Sequence, residues 1–423
     1  MNRPLCRVLL AAAACLPAGA AAQGWTAQRG TEALLRHDSN PGLASTAPAA
    51  LTTLQWALRA SLARRADSAE TGAEAELVLS QGRSERPAAD DTTGLGRLAL
   101  RQRLALERQV WQGDLSYRRE RPLDGLATAG EVALGRAEQS VVAGGLSWSY
   151  ALDERLSAEV SAGLTDTRLS TPLSTSNSPA LNPSANTPAR SFAVATASTA
   201  LRYAWTETTS LSASLQQTRQ RLQDSDTRIQ IDSLRLGATR ALTERASLNL
   251  AVAQSSTSQE FTLRGLVCPL PVQFCRSGIV PFQVSETRLT RRREQLQYIA
   301  GGNLRWDPAT TLAASATRAL TPGPLGVNRE DRWSLGLERS WSEALSASLS
   351  LDDSRTEPPA GTAAPARLRS LNLDARWRFS EPLTLVLQAQ ARRYRSATPD
   401  SRARSHVFSI SLQYPGATVP VGE

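Results

Sequence analysis

Side chains able to do covalent or metal chemistry are few in this 423-residue chain. It has two histidines, His37 and His406, and four cysteines. A hydrolytic site needs a nucleophile with a histidine base in hydrogen-bond reach. In His406-Val-Phe-Ser409 an offset of three puts the two side chains on opposite faces of a strand. Beside His37, Asp38-Ser-Asn-Pro reads as turn chemistry. The adjacent acids Asp352 and Asp353 offer oxygens to calcium, but that ion takes about six to eight of them, so one pair is a poor cage. Cys268 and Cys275 share the segment Cys-Pro-Leu-Pro-Val-Gln-Phe-Cys, with no histidine near to complete a metal site. Arginine is abundant instead: all 48 basic residues are arginine, and the net charge is +9. A guanidinium grips phosphate or carboxylate through a planar pair of N–H groups. Anion recognition is therefore the chemistry this chain is richest in. No enzyme, metal or cofactor is expected.

The N-terminus bears on compartment. Arg3 and Arg7 make a basic start, Val8 to Ala14 an apolar core, and Ala20-Ala21-Ala22 a small-residue cleavage site before Gln23. Residues 1–22 read as a signal peptide. Lipidation at Cys15 competes with this, but Ala12 stands where that signal prefers leucine. In an exported chain the remaining close pair, Cys268 and Cys275, is expected to form a disulfide. A net positive charge suits nucleic acid, yet export and the scatter of the arginines exclude that partner.

The elements that must position these residues are written in a recurring turn. Six segments run from a strand end through a short polar turn into an alternating strand: Tyr150-Ala-Leu-Asp-Glu-Arg-Leu156, Trp205-Thr-Glu-Thr-Thr-Ser-Leu211, Arg240-Ala-Leu-Thr-Glu-Arg-Ala246, Trp306-Asp-Pro-Ala-Thr-Thr-Leu312, Trp341-Ser-Glu-Ala-Leu345 and Phe379-Ser-Glu-Pro-Leu383. A transmembrane β-barrel needs tight turns on one side, longer loops on the other, and aromatic residues at the membrane boundary. No stretch approaches the ~18 apolar residues of a membrane helix. Heptads, Rossmann-like glycines and a P-loop are absent, and only 5% of residues are aromatic. A soluble protein of this length would hold two or three domains with longer apolar clusters.

Between the turns the pattern has period two. Leu371, Leu373, Ala375, Trp377 and Phe379 share one face, and Ser370, Asn372, Asp374, Arg376 and Arg378 the other. Leu345, Ala347, Leu349 and Leu351 alternate with Ser346, Ser348, Ser350 and Asp352. A charge at nearly every second position would ruin a sandwich core and suits a watery lumen. Placing the six turns in the periplasm makes 169–190, 264–290, 321–330 and 357–366 extracellular loops. Counting back from the last strand gives strands near 404–414, 383–395, 367–379, 345–356, 331–341, 311–320, 293–306, 246–262, 229–240, 210–223, 191–205, 155–168, 139–150, 110–120, 95–106, 73–86 and 52–64. An even count with both ends inside requires one more, at 25–37. The expectation is an all-β, single antiparallel up-and-down transmembrane β-barrel of eighteen strands over 23–414, with sixteen as the fallback and a periplasmic tail at 415–423. Phe408, Ile410, Leu412 and Tyr414 resemble the C-terminal signature read by barrel assembly machinery, although nine further residues follow.

This frame assigns roles. Tyr150, Trp205, Trp306, Trp341, Phe379 and Tyr414 precede periplasmic ends and suit an aromatic girdle. Arg118, Arg119 and Arg121, Arg291, Arg292 and Arg293, and Arg392, Arg393 and Arg395 gather at the opposite ends, with Arg402 and Arg404 across the last loop. They are candidate contacts to lipopolysaccharide phosphates or another acidic polymer; the plain alternative is solvated loop charge. Arg97, Arg101, Arg103, Asp114, Glu338, Asp374, Arg376 and Arg378 are candidate lumen residues, either tuning a channel or packed into ionic ladders.

With Asp38-Ser-Asn after the first strand and repeated Leu-x-Trp-x-x-acidic-x-x-Leu-Ser-Ala hairpins, the mature chain resembles the outer-membrane β-barrel proteins of exopolysaccharide and PEP-CTERM/exosortase loci. The resemblance implies a non-enzymatic barrel for transport or envelope-associated export, with polysaccharide or export components as partners beside outer-membrane lipid. The alternatives are a general diffusion porin that prefers anions and a closed structural or surface-binding barrel. A long loop at 264–290 folded into the lumen would favour the porin; an outward one would favour binding.

Overall fold

The computed structural model describes residues 24–40, 50–84, 91–120, 138–170, 191–223, 227–267, 283–323, 326–358, 365–396, 402–416 and 418–421. Strands in chain order are β1 (Trp25–Asp38), β2 (Leu51–Arg65), β3 (Ala69–Ser84), β4 (Asp91–Ala105), β5 (Gln109–Glu120) and β6 (Glu138–Ala151). There follow β7 (Leu156–Ser170), β8 (Phe192–Ala204), β9 (Thr209–Leu222), β10 (Arg228–Thr243), β11 (Ala246–Val267) and β12 (Gln283–Asp307). The chain closes with β13 (Thr310–Gly323), β14 (Gly326–Ser340), β15 (Leu345–Glu357), β16 (Ala366–Ser380), β17 (Leu383–Ser396), β18 (Arg402–Tyr414) and the short β19 (Thr418–Val421). From β1 to β18 each strand pairs antiparallel with the next, and β1 pairs with both β2 and β18. The result is a closed eighteen-strand barrel, as expected, with β1 at the position that parity demanded. Closure leaves no open sheet edge, the condition for β-structure in hydrocarbon.

Alternation fixes which face looks where. On β18, Phe408, Ile410 and Leu412 are exposed, whereas Ala403, Ser405, Val407, Ser409 and Ser411 are buried. The large apolar side chains form an outward belt, and small or polar side chains line the concave side. The pairing registers carry this parity from strand to strand around the wall. With an apolar belt on the outside and a polar inside, this closed barrel is an outer-membrane protein.

Five of the six recurring turns share a physical basis; in the sixth the Ser380 hydroxyl has no hydrogen-bond partner among the described residues. Side-chain oxygens near the turn start accept the backbone N–H groups that the turn leaves unpaired. Asp153 accepts from the Arg155 and Leu156 N–H groups at 2.7 Å each. Asp307 accepts from Ala309 N–H at 2.7 Å, and Ser342 from Ala344 and Leu345 at 3.2 and 3.1 Å. Thr206 and Thr243 accept from Thr208 and Arg245 at 3.3 and 3.2 Å. In the Thr206-Glu207, Thr243-Glu244 and Ser342-Glu343 turns the bond is thus made by the short residue before the glutamate. Three of the turns sit beside register shifts, at Ala241/Thr243, Arg305/Asp307 and Arg378/Ser380. The residue skipped by the ladder is Leu242, Trp306 or Phe379, and each is exposed on the outer rim. Leu242 therefore stands in the copy that lacks an aromatic.

Two differences from expectation concern ends. Segment 264–290 was expected to be loop, but β11 and β12 stay paired up to Val267 opposite Gln283. Residues 264–267 and 283–290 thus continue the wall as a two-stranded ladder. At the other end, Thr418–Val421 pairs with Trp25–Gln28 of β1, continuing the line of β18 after a kink. Gly416 makes that kink at φ +73°, where a Cβ would overlap the Arg29 carbonyl, so glycine alone fits.

Candidate functional site: the inner wall

The inner wall divides into sectors of different chemistry. On β2–β5 it is charged. Arg59 of β2 donates to Glu32 of β1 at 2.6 Å and to Glu76 of β3 at 2.7 Å. The register then sets Glu76 opposite Arg97, Arg97 opposite Arg118, and Arg101 opposite Asp114. Arg97, Arg101 and Arg103 rise along β4 on this face, all exposed. None of the three has an ion-pair or hydrogen-bond partner among the described residues. Asp114 lies flat across β6, where a Cβ on Gly145 would meet its Oδ1 at 2.7 Å. Glycine there lets the carboxylate fold against the wall instead of projecting into the bore.

The wall from β14 to β18 is also charged, and several of its charges are paired within the wall. Arg332 pairs with Asp352 at 2.9 Å and Arg376 with Asp374 at 3.1 Å. Gln388 donates to Asp374 at 2.7 Å, and Gln390 to Asn372 at 2.6 Å. Glu338, Asp374 and Arg376 line a cavity of about 580 Å³ against this wall, with Arg36 and Gln55 on its far flank. Arg378, nearer the turn, donates to the Glu343 carbonyl at 3.2 Å.

Where β1 meets β17 and β18, a buried cluster closes the barrel. The Arg392 guanidinium donates to the Asp38 carboxylate and to Ser405 Oγ, and all three side chains are buried. Asp38 also accepts the Asn40 N–H at 3.0 Å, and Asn40 donates to the Arg404 carbonyl at 3.1 Å. This places the Asp38-Ser-Asn turn in the seam between the first and last strands.

The wall of β6–β10 is nearly neutral. Its inward residues are chiefly Ser, Thr, Ala, Gly and Gln, with Ser161 and Ser198 joined at 2.7 Å. Glu159, Arg202 and Arg235 are its charges. Glycine again seats a polar neighbour: a Cβ on Gly237 would meet Ser212 Oγ at 2.8 Å.

The strand parity sorts the remaining sequence candidates. The lumen candidates Arg97, Arg101, Arg103, Asp114, Glu338, Asp374, Arg376 and Arg378 all face inward. The girdle candidates Tyr150, Trp205, Trp306, Trp341, Phe379 and Tyr414 all face outward beside the short turns. Trp111, Trp148 and Trp377 join them: Trp148 stacks on Tyr150 with ring centroids 5.8 Å apart, and Trp377 lies 5.8 Å from Phe379. The arginine clusters divide between the two faces. Consecutive residues on a strand point to opposite sides, so Arg118, Arg291, Arg293 and Arg392 lie on the inner face while Arg119, Arg292, Arg393 and Arg395 lie on the outer. Arg121, Cys268 and Cys275 fall outside the described residues. His406 and His37 face outward, and Ser409 inward. Asp352 and Asp353 likewise separate, Asp352 to Arg332 inside and Asp353 to Arg367 and Arg369 outside. Missed in the sequence was the Arg392–Asp38 pair, whose partners are 354 residues apart.

No family model and no curated protein matches the chain. Among solved structures it is similar to OpdQ of Pseudomonas aeruginosa, at 10% identity and TM-score 0.46, covering 94% of this chain and 100% of that one. It is also similar to OccK2 (OpdF) of the same organism, solved in complex with glucuronate, at 13% identity and TM-score 0.46 over 93% and 98% of the chains. OccAB4 of Acinetobacter baumannii matches at 8% identity and TM-score 0.47 over 94% and 100%. At these identities and scores the likeness adds nothing to the barrel described above.

Proposed function

We propose that the barrel is a passive, water-filled channel that admits small polar solutes and prefers anions. The observation that carries this reading is the column Arg97, Arg101 and Arg103 on the inner face of β4, exposed and without partners among the described residues. Unpaired guanidinium groups on the low-dielectric wall of a water-filled bore raise the local concentration of anions. Spaced along one strand, they offer successive weak sites, so that a solute is held enough to enter and loosely enough to leave. The hydroxyl-rich wall of β6–β10 keeps the adjoining sector wet with little competing charge.

Support for the channel over envelope-associated export comes from this lining; the export reading rests on the resemblance of hairpin motifs alone. A surface-binding barrel with a closed lumen is the second reading, favoured by the β11–β12 ladder that continues to Val267 and Gln283. Proteoliposome swelling separates them. Liposomes carrying the folded protein should swell in small sugars and faster in the salt of a small organic acid. A folded barrel that leaves swelling at the rate of empty liposomes would defeat the channel reading.

A further inference from the structure

The same strands that bury Arg392 inside the barrel present four arginines outside it. Arg393 and Arg395 of β17 face Arg404 and Arg402 of β18 in direct register. Side chains so placed have Cβ atoms about 4.5–5.5 Å apart, and like charges directly opposite one another are destabilising. All four are exposed, and none has a partner among the described residues. The next strand of the row sharpens the point. Arg369 and Arg367 of β16 stand opposite Arg393 and Arg395, but both are claimed by Asp353, at 2.7 Å for Arg369. Inside, Arg392 has Asp38. Thus a carboxylate accompanies the arginines of β16 and the inner arginine of β17, and none accompanies this outer square.

Its position names the missing counter-ion. Toward the periplasm His406 follows Arg404 on the same outer face, and below it that face is apolar, with Leu385, Leu387, Ala389 and Ala391 on β17 and Phe408, Ile410 and Leu412 on β18. The square therefore sits at the upper border of the hydrocarbon belt, at headgroup level, on the lipid side of the wall. We propose that Arg393, Arg395, Arg402 and Arg404 bind the phosphorylated headgroup of an outer-leaflet lipid, whose acyl chains lie against the apolar rows below. Each cross-strand arginine pair supplies planar N–H donors to one phosphate group. A free phosphate would satisfy the charge but make no use of the apolar rows, so the lipid is the occupant. This inference stands apart from the channel reading and survives its failure.

Native mass spectrometry of the purified barrel, titrated with diphosphoryl lipid A, tests the site. The parent protein should retain the lipid, and the double variant Arg393→Gln/Arg404→Gln should bind it about tenfold more weakly or worse, since it loses charge-assisted bonds. Arg64→Gln/Arg240→Gln, which removes outer charge at the periplasmic end, should bind as the parent does. Dephosphorylated lipid A should bind the parent weakly and be indifferent to the substitutions, and millimolar inorganic phosphate should not displace the phosphorylated lipid. Parent-like binding by the first variant, or equal binding of the two lipids, would overturn the proposal. Displacement by inorganic phosphate would overturn the lipid as occupant. If the double variant fails to give the heat-modifiable mobility of a folded barrel, Arg395→Gln alone supplies the same comparison.

Discussion

The inner walls of β2–β5 and β6–β10 have the same backbone and opposite chemistry. One carries Arg59, Glu76, Arg97, Arg101, Arg103 and Asp114; the other is mostly serine, threonine, glycine and glutamine. Both satisfy the rule that the concave side of a membrane barrel be polar. They differ in what polarity costs and does. A hydroxyl is satisfied by water or by its neighbour, as Ser161 and Ser198 satisfy each other, and asks for nothing passing through. A guanidinium without a partner exerts a field along the bore. On the proposed channel reading, the neutral wall supplies water and width while the charged wall supplies selectivity.

Breaking the charged side should cost most where charge is buried. Arg392→Ala leaves the buried Asp38 carboxylate at the seam with only Arg36, 3.6 Å away, as counter-charge among the described residues. Removing one partner of a buried pair is destabilising by about 3–5 kcal/mol, a range whose lower end applies where a second cation remains. Denaturant unfolding of the detergent-folded barrel should show this for Arg392→Ala, while Ser214→Ala on the neutral wall should change stability by less than about 0.5 kcal/mol. Equal losses would erase the distinction between the sectors.

The next effect is functional. Replacing Arg97, Arg101 and Arg103 together by glutamine should abolish most of the anion preference with little change in stability, because none of the three pairs with a described residue. Arg235→Gln in the neutral wall should shift selectivity slightly. Reversal potentials across a salt gradient separate these outcomes. Glu76→Gln should act in the opposite direction and more weakly, since it frees part of the Arg59 charge that Glu76 and Glu32 now share.

The smallest expected effect lies at a turn that serves both walls alike. The Asp307 carboxyl sits below the usual carboxylate range, chiefly because the Ala309 N–H donates to it, with the Thr310 hydroxyl adding a second bond. A carboxyl lowered by folding contributes stability that is present above its unfolded pKa and lost as pH falls through the folded one. Asp307→Ala should therefore reduce acid sensitivity below the ordinary carboxylate range by a small amount, read from the midpoint of acid unfolding against the parent.

Much of this was legible in the residues. Period-two alternation located the strands, the six turns fixed their direction, and parity called for β1 before any pairing was known. Parity also holds the correction to the arginine clusters: Arg392 and Arg393 are sequence neighbours, so they must face opposite sides of the wall. What the sequence does not carry is pairing at a distance. Asp38 meets Arg392 because the barrel closes, and no local pattern records that contact. The β11–β12 ladder runs on into the segment 264–290 that the hairpin count assigns to an extracellular loop, and only the cross-strand pairing marks where the strands end. In three of the short turns the bond falls not to the glutamate but to Thr206, Thr243 or Ser342, whose shorter side chains reach the backbone N–H.

The central claim is that the unpaired arginines of β4 set the selectivity of an open bore. Single-channel recording of the refolded protein and of the Arg97/Arg101/Arg103→Gln variant in a planar bilayer tests it most directly. The account predicts steady conductance in both, with a zero-current potential displaced toward chloride in the parent and close to neutral in the variant. A folded parent that passes no current, or one whose chloride preference the variant retains in full, would contradict it.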